Sequence, residues 1–122
     1  MNFQDELLKG VALFNDHEFF QAHDVFEDIW MECKNEEKLF FQGMVQISVG
    51  CFHAISGNMR GANSQLEKGI EKLKKFSPLH RKIDLKSLII DINVLSLEVK
   101  KQINDKVGIG YESFPKIKLN LS

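Results

Sequence analysis

The fold of this chain is decided by residues 14–30, FNDHEFFQAHDVFEDIW, a stretch rich in aromatic residues, acids and histidines. Its apolar residues recur at helical spacing and cover more than one stripe, which predicts a helix over residues 18–33 with neighbours on two sides. His23, Glu27 and Trp30 are spaced i, i+4 and i+7, so such a helix carries all three on one face. A charged pair beside a tryptophan on a core-facing stripe is costly unless polar partners satisfy it. The stretch therefore predicts a polar site inside a helical bundle.

Helical spacing continues on both sides of this stretch, and the fold class that it predicts is all-α. We expect one domain over residues 1–122, a five-helix bundle made of two helical hairpins, a closing helix and an extended C-terminal tail. Asn35, Asn58 and Asp84 are the expected N-caps of the last three helices. The predicted helices cover residues 3–14, 18–33, 36–56, 58–76 and 84–104, with a basic loop at 78–83 and the tail at 107–122.

The two hairpins share a spacing of small and large residues. Gly10, Ala22 and Phe26 have the same offsets as Gly50, Ala62 and Leu66, and these offsets are similar to those of a tetratricopeptide-repeat hairpin. The interval of 40 residues between the two sets is too irregular for a repeat array. It predicts two hairpins with similar packing.

Composition places the chain among globular proteins of the cytoplasm. Its 122 residues suffice for one core, and no apolar run reaches the roughly 18 residues of a membrane span. The N-terminus lacks the basic and apolar regions of a signal peptide. We therefore expect no membrane association. Cys33 and Cys51 lack metal-site spacing, so we expect two reduced thiols.

Charge is distributed unevenly along the chain, although its net value is only -1. Residues 1–37 contain ten acidic and two basic residues, whereas the remainder contains seven acidic and fourteen basic residues. The two parts should attract each other, either within one molecule or between two copies in a homodimer. The basic stretch from Lys68 to Lys86 is interspersed with acids and nearly free of aromatic residues, so nucleic acid is not an expected partner.

Side chains able to carry chemistry are predicted on two facing helices. If the helices on either side of residues 34–37 are antiparallel, Glu27 and His23 face Gln42, Gln46 and His53 in one polar seam. Three interpretations are open: a buried hydrogen-bond network, a small-ligand pocket, or a divalent metal held by His23, Glu27 and His53. Asp24 is a poor base in the last case, because it should point away from His23. His17 and His80 fall in turns and are expected to be exposed.

Several motifs in this chain resemble a bacterial and archaeal family, the domain of unknown function 309. They are FQAHDVFEDIW at residues 20–30, FQGMVQ at 41–46, GN at 57–58, RGA at 60–62 and FPKI at 114–117. The resemblance implies a compact all-α domain and supplies no established activity. The motif positions that it singles out are His23, Glu27, Trp30, Gln42, Gln46, Asn58 and Arg60.

We therefore expect a binding or accessory protein with its polar site at His23, Glu27, Trp30, Gln42, Gln46, His53, Asn58 and Arg60. One alternative is a metal-dependent hydrolase that uses His23, Glu27 and His53 as ligands. Another is a tetratricopeptide-like protein-interaction module. An open seam with room for a substrate favours chemistry, a closed seam favours a structural role, and an exposed apolar groove favours a partner.

Overall fold

A computed structural model describes residues 1–105 and 108–121 and contains the five helices that the spacing predicts, which confirms the all-α fold. The helix ends lie close to the predicted ones, except that the fourth helix stops at Leu73 and continues as one 3₁₀ turn. The helices are α1 (Phe3–Asn15), α2 (Phe19–Glu32), α3 (Asn35–Ile55), α4 (Met59–Leu73) and α5 (Leu85–Asp105).

Side-chain caps fix the start of three helices. Asn2 Oδ1 accepts from the Asp5 amide at 3.1 Å, and Asn58 Oδ1 accepts from the Gly61 amide at 2.9 Å. Asp84 Oδ1 accepts from the amide of Ser87 at 3.0 Å, so the caps predicted for α4 and α5 are confirmed. The cap predicted at Asn35 is wrong. Asn35 is already the first residue of α3, with a left-handed φ of 59° that asparagine tolerates better than most residues.

Each helix packs mainly against its neighbours in sequence, so the two hairpins α1–α2 and α3–α4 stack side by side and α5 follows on α4. A β-carbon at Gly10 would overlap the ring of Phe26, and one at Gly50 would lie 2.7 Å from the Leu66 side chain. The equivalent contacts in both hairpins confirm the similar packing that the spacing predicts. The core between them includes Phe14, Phe19, Phe26, Phe40 and Phe41, all with at most 1% of their surface exposed.

A short hairpin replaces the loop expected at residues 78–83. Strand β1 (Leu79–His80) pairs antiparallel with β2 (Ile83–Asp84), and Arg81 and Lys82 between them take positive φ values. The bridge between Ile83 and Leu119 attaches the C-terminal tail to this hairpin. Two-residue strands have no readable period, which is why the sequence pattern does not reveal them.

The C-terminal tail lies over the turn between α1 and α2. Asn15 donates to the carbonyl of Ile117 at 3.0 Å and accepts from its amide at 2.7 Å. Phe114 and Ile117 are buried, Leu119 is half-buried and Leu121 is exposed. The two ends of the predicted tail, Val107 and Ser122, lie outside the described residues.

No helix within residues 1–105 or 108–121 combines the length and the apolar character needed to cross a membrane.

Candidate functional site

The candidate site is a surface groove between α2 and α3. Only residues 33–34 connect the two helices, so α3 returns antiparallel beside α2. Residues of the two helices meet across the groove and line two cavities in a row. The first cavity lies between residues 20–23 and 49–53, and the second between residues 27–30 and 42–46.

The first cavity has an apolar wall and two imidazoles. It measures about 200 Å³ and is lined by Phe20, Val49 and Phe52, with His23 and His53 beside them. The rings of Phe20 and Phe52 meet edge to face with centroids 5.4 Å apart. Phe20 nevertheless remains 54% exposed, so this end of the groove presents aromatic surface to the outside.

His23 lies between the two cavities, and its two ring nitrogens face different residues. Nδ1 lies 2.9 Å from the carbonyl oxygen of Phe20. Nε2 lies 3.4 Å from a carboxylate oxygen of Glu27. The prediction that Asp24 points away from His23 is wrong. Its Oδ1 lies 3.4 Å from Nδ1 of His23, because the side chains of adjacent residues can bend toward each other.

The second cavity is lined mostly by polar side chains. It measures about 220 Å³, and its walls are formed by one carboxylate, three carboxamides, an indole and one aliphatic side chain. A carboxamide offers two donor hydrogens and one acceptor oxygen, so this wall can pair with both polar groups of a peptide bond. The lining residues are Glu27, Trp30, Gln42, Val45, Gln46 and Gln65.

Two lysines contact residues that line the second cavity. Lys38 Nζ donates to the Trp30 carbonyl at 2.9 Å and lies 4.5 Å from the centre of its ring. Lys72 of α4 donates to Gln46 Oε1 at 2.8 Å. Partial burial, together with the nearby charges of Lys68 and Lys75, lowers the pKa of Lys72. Its ammonium group holds Gln46 in place.

The polar seam predicted on α2 and α3 is open, not buried. His23 and Glu27 expose 18% and 45% of their side chains. The reason is geometric: the core side of α2 carries Ala22, Phe26 and Ile29, and each helical residue turns by about 100°. The face that carries His23, Glu27 and Trp30 is rotated by one residue from this core side. It therefore borders the groove and does not point into the core.

The three predicted metal ligands do not converge. In the part of the chain that the structure describes, no three His, Cys, Asp or Glu side chains are placed to hold a metal ion. His53 instead lies beside Asn58, with 3.4 Å between its Nδ1 and the amide nitrogen of Asn58. The predicted metal site of His23, Glu27 and His53 is therefore wrong. His23 and Glu27 lie side by side, but His53 does not join them as a third ligand.

A family comparison matches the stretch that builds this groove. The model of the family described as a domain of unknown function (DUF309) matches residues 7–65. The match confirms the resemblance to this family over residues 7–65. The match runs from α1 into α4 and contains every residue that lines the two cavities. No curated protein matches the chain.

Asn58 and Arg60, two of the motif positions singled out by the resemblance, do not line either cavity of the groove. They line a separate cavity of about 390 Å³ with residues of α5. Asn58 caps α4, while Arg60 is exposed on its first turn. The predicted site residues are therefore divided between two surfaces.

Sequence reasoning missed a polar cluster around Glu37, on the first turn of α3. Glu37 accepts hydrogen bonds from His80 Nε2 at 2.7 Å and from Arg81 Nε. Arg81 also donates to Gln4 Oε1 at 3.2 Å. Partial burial alone raises the pKa of Glu37, but the bonds from Arg81 and His80 outweigh it and lower the pKa below its usual value.

The exposure expected for His80 is wrong, because its ring packs 4.5 Å from that of Phe40 and 4.8 Å from that of Phe76. His17 is also half-buried, with its ring 5.1 Å from that of Tyr111. The uneven charge distribution is the one sequence signal that pointed toward the Glu37 cluster, since it predicts contacts between early acids and later bases.

Proposed function

We propose that this chain is a binding protein that holds a polypeptide segment of a partner in the groove between α2 and α3. The observation that carries the proposal is the pair of cavities in a row along that groove. Each cavity is smaller than the roughly 300–1,000 Å³ of common small-molecule pockets. A row of small cavities suits a chain that places successive side chains in them.

The chemistry of the two cavities supports a peptide as the ligand. The apolar wall formed by Phe20, Val49 and Phe52 suits one apolar side chain. The carboxamides of the second cavity suit the N–H and C=O groups of a peptide backbone, which need partners when they leave water.

The charge of α2 favours a basic segment. This helix carries Asp24, Glu27, Asp28 and Glu32 and has no lysine or arginine. Of these acids, Glu27 lines the second cavity, and Asp24 contacts His23, which lines the first. Carboxylates beside a groove attract cationic ligands and raise their association rate. The expected ligand is therefore a peptide with an apolar residue close to lysine or arginine.

Selection from a random peptide display library tests the proposal. The peptides enriched on the purified protein are then synthesised, and their affinities are measured by fluorescence anisotropy. We expect Phe20→Ser to raise the dissociation constant by about tenfold through lost apolar contact. Met31→Ser is the matched control, because Met31 is also on α2 and exposed but lines neither cavity.

Glu27→Gln tests the charge preference with the same peptides. It should weaken binding most at low salt, because screening reduces the contribution of the carboxylate. Failure to enrich any peptide, or equal affinity of the parent and Phe20→Ser, contradicts the proposal.

A further inference from the structure

Helix α5 has an apolar stripe on its outer face. Ile90, Val94 and Leu97 are spaced i, i+4 and i+7, and they are 55%, 60% and 61% exposed. The opposite face of the helix, which packs on the body, carries Leu85, Leu88, Ile92, Leu95 and Val99. A terminal helix in a stack of helical hairpins normally ends the stack with a polar outer face. The outer face of α5 is instead suited to further helix packing.

The stripe has the spacing of a coiled-coil seam. Counted as a heptad, Ile90 and Leu97 occupy d positions and Val94 the a position between them. Ser87 and Lys101 occupy the a positions on either side, so the apolar part is confined to two turns of the helix. A seam of this length gives a small interface, at the low end of the specific interfaces known for proteins.

The two flanks of the stripe carry opposite charges. Asp91 and Glu98 lie on the flank nearest the C-terminal tail, where both line a cavity with residues 112–116. Lys86 and Lys100 lie on the other flank, where Lys100 contacts Glu67 of α4 at 3.2 Å. Two helices packed antiparallel bring like flanks together, whereas two packed parallel bring opposite flanks together.

We infer that the stripe is a self-association surface that packs in parallel against α5 of a second copy of this chain, about a two-fold axis along the helices. In that arrangement, Lys86 of each copy faces Asp91 of the other, and Lys100 faces Asp105. A two-fold axis forms both kinds of ion pair twice. This surface is separate from the groove between α2 and α3. Self-association and peptide binding can therefore be tested independently.

Sedimentation velocity over a concentration series up to about 1 mM tests the self-association, since small interfaces give weak dimers. We expect the parent protein to dimerise reversibly and Val94→Asp to be monomeric, because a carboxylate in the seam would lose its water without gaining a partner. Met31→Asp is the control, an exposed apolar residue of α2 that should leave the dimer unchanged. A monomeric parent at every concentration, or a Val94→Asp variant that dimerises like the parent, overturns the inference.

Charge reversal tests the orientation of the two helices. In the parallel dimer, Asp91→Lys sets two lysines face to face and should weaken association by about tenfold. The double variant Asp91→Lys with Lys86→Glu exchanges the two charges and should restore it. In an antiparallel dimer, Asp91→Lys would face Glu98 of the other copy and strengthen association. Stronger association of Asp91→Lys therefore overturns the parallel arrangement.

Discussion

Replacing Glu37 with glutamine should destabilise the protein at neutral pH and have almost no effect in acid. Glu37 accepts from both His80 and Arg81 and exposes 31% of its side chain. Hydrogen bonds to charged groups contribute about 1.5–3 kcal/mol each, and partial exposure to solvent reduces that range. Glutamine retains one acceptor, so the expected loss is about 2 kcal/mol of unfolding free energy.

The pH dependence follows from the direction of the pKa shift. The pKa of Glu37 is lower in the folded protein than its ordinary value of 4.5, so the folded state favours the ionised carboxylate. Its contribution to stability is therefore fully present above the unfolded pKa and disappears as pH falls through the folded pKa. The free energies of the parent and Glu37→Gln should converge toward acid pH.

Urea denaturation followed by circular dichroism at several pH values between neutral and acid measures this difference. Glu36→Gln is the matched control, because Glu36 lies on the same helical turn but is exposed. It should cost less than about 0.5 kcal/mol at neutral pH. A Glu37→Gln loss as small as that of the control, or a loss that persists unchanged in acid, would refute the reasoning.

Three further outcomes follow from the packing. Gly10→Ala gains about 1 kcal/mol of helix propensity but forces a methyl group into the buried Phe26 ring, so urea denaturation should show a net loss of about 1–2 kcal/mol. Asn58→Ala removes the α4 cap and should lower the free energy of unfolding, measured by thermal denaturation, by about 1 kcal/mol. Asn58→Gly should lower it by only a few tenths of a kcal/mol. Burial raises the pKa of Cys33 and of Cys51, so both thiols should react with a disulfide reagent far more slowly in native protein than in urea.

Helices were predictable in this chain because each has a clear apolar period and most have a capping residue at the start. Asn58 and Asp84 show this, since each accepts the amide three residues ahead as expected. The exception at Asn35 arises because residues 33–34 turn the chain so tightly that the asparagine becomes part of α3. Strand pairing between β1 and β2 was not predictable, because two residues per strand carry no alternation.

The candidate site was predictable to the level of a helix face and no further. The spacing of His23, Glu27 and Trp30 places them on one side of α2, but whether that side is buried depends on how far it is rotated from Phe26. The contact of Lys72 with Gln46 and that of Glu37 with Arg81 join residues distant in sequence. Such pairs depend on the packing of whole helices, which local spacing does not encode.

The tail that lies over the first turn has a consequence for synthesis of the protein on the ribosome. Asn15 and Ile117 are separated by 102 positions, so the two hydrogen bonds between them form only after the whole intervening chain has been made. Until then, the ring of Phe19 at that turn lacks its contact with the ring of Phe114. Exposed aromatic surface on a nascent chain promotes aggregation. We expect the emerging α1–α2 hairpin to be a substrate for ribosome-associated chaperones until the tail arrives.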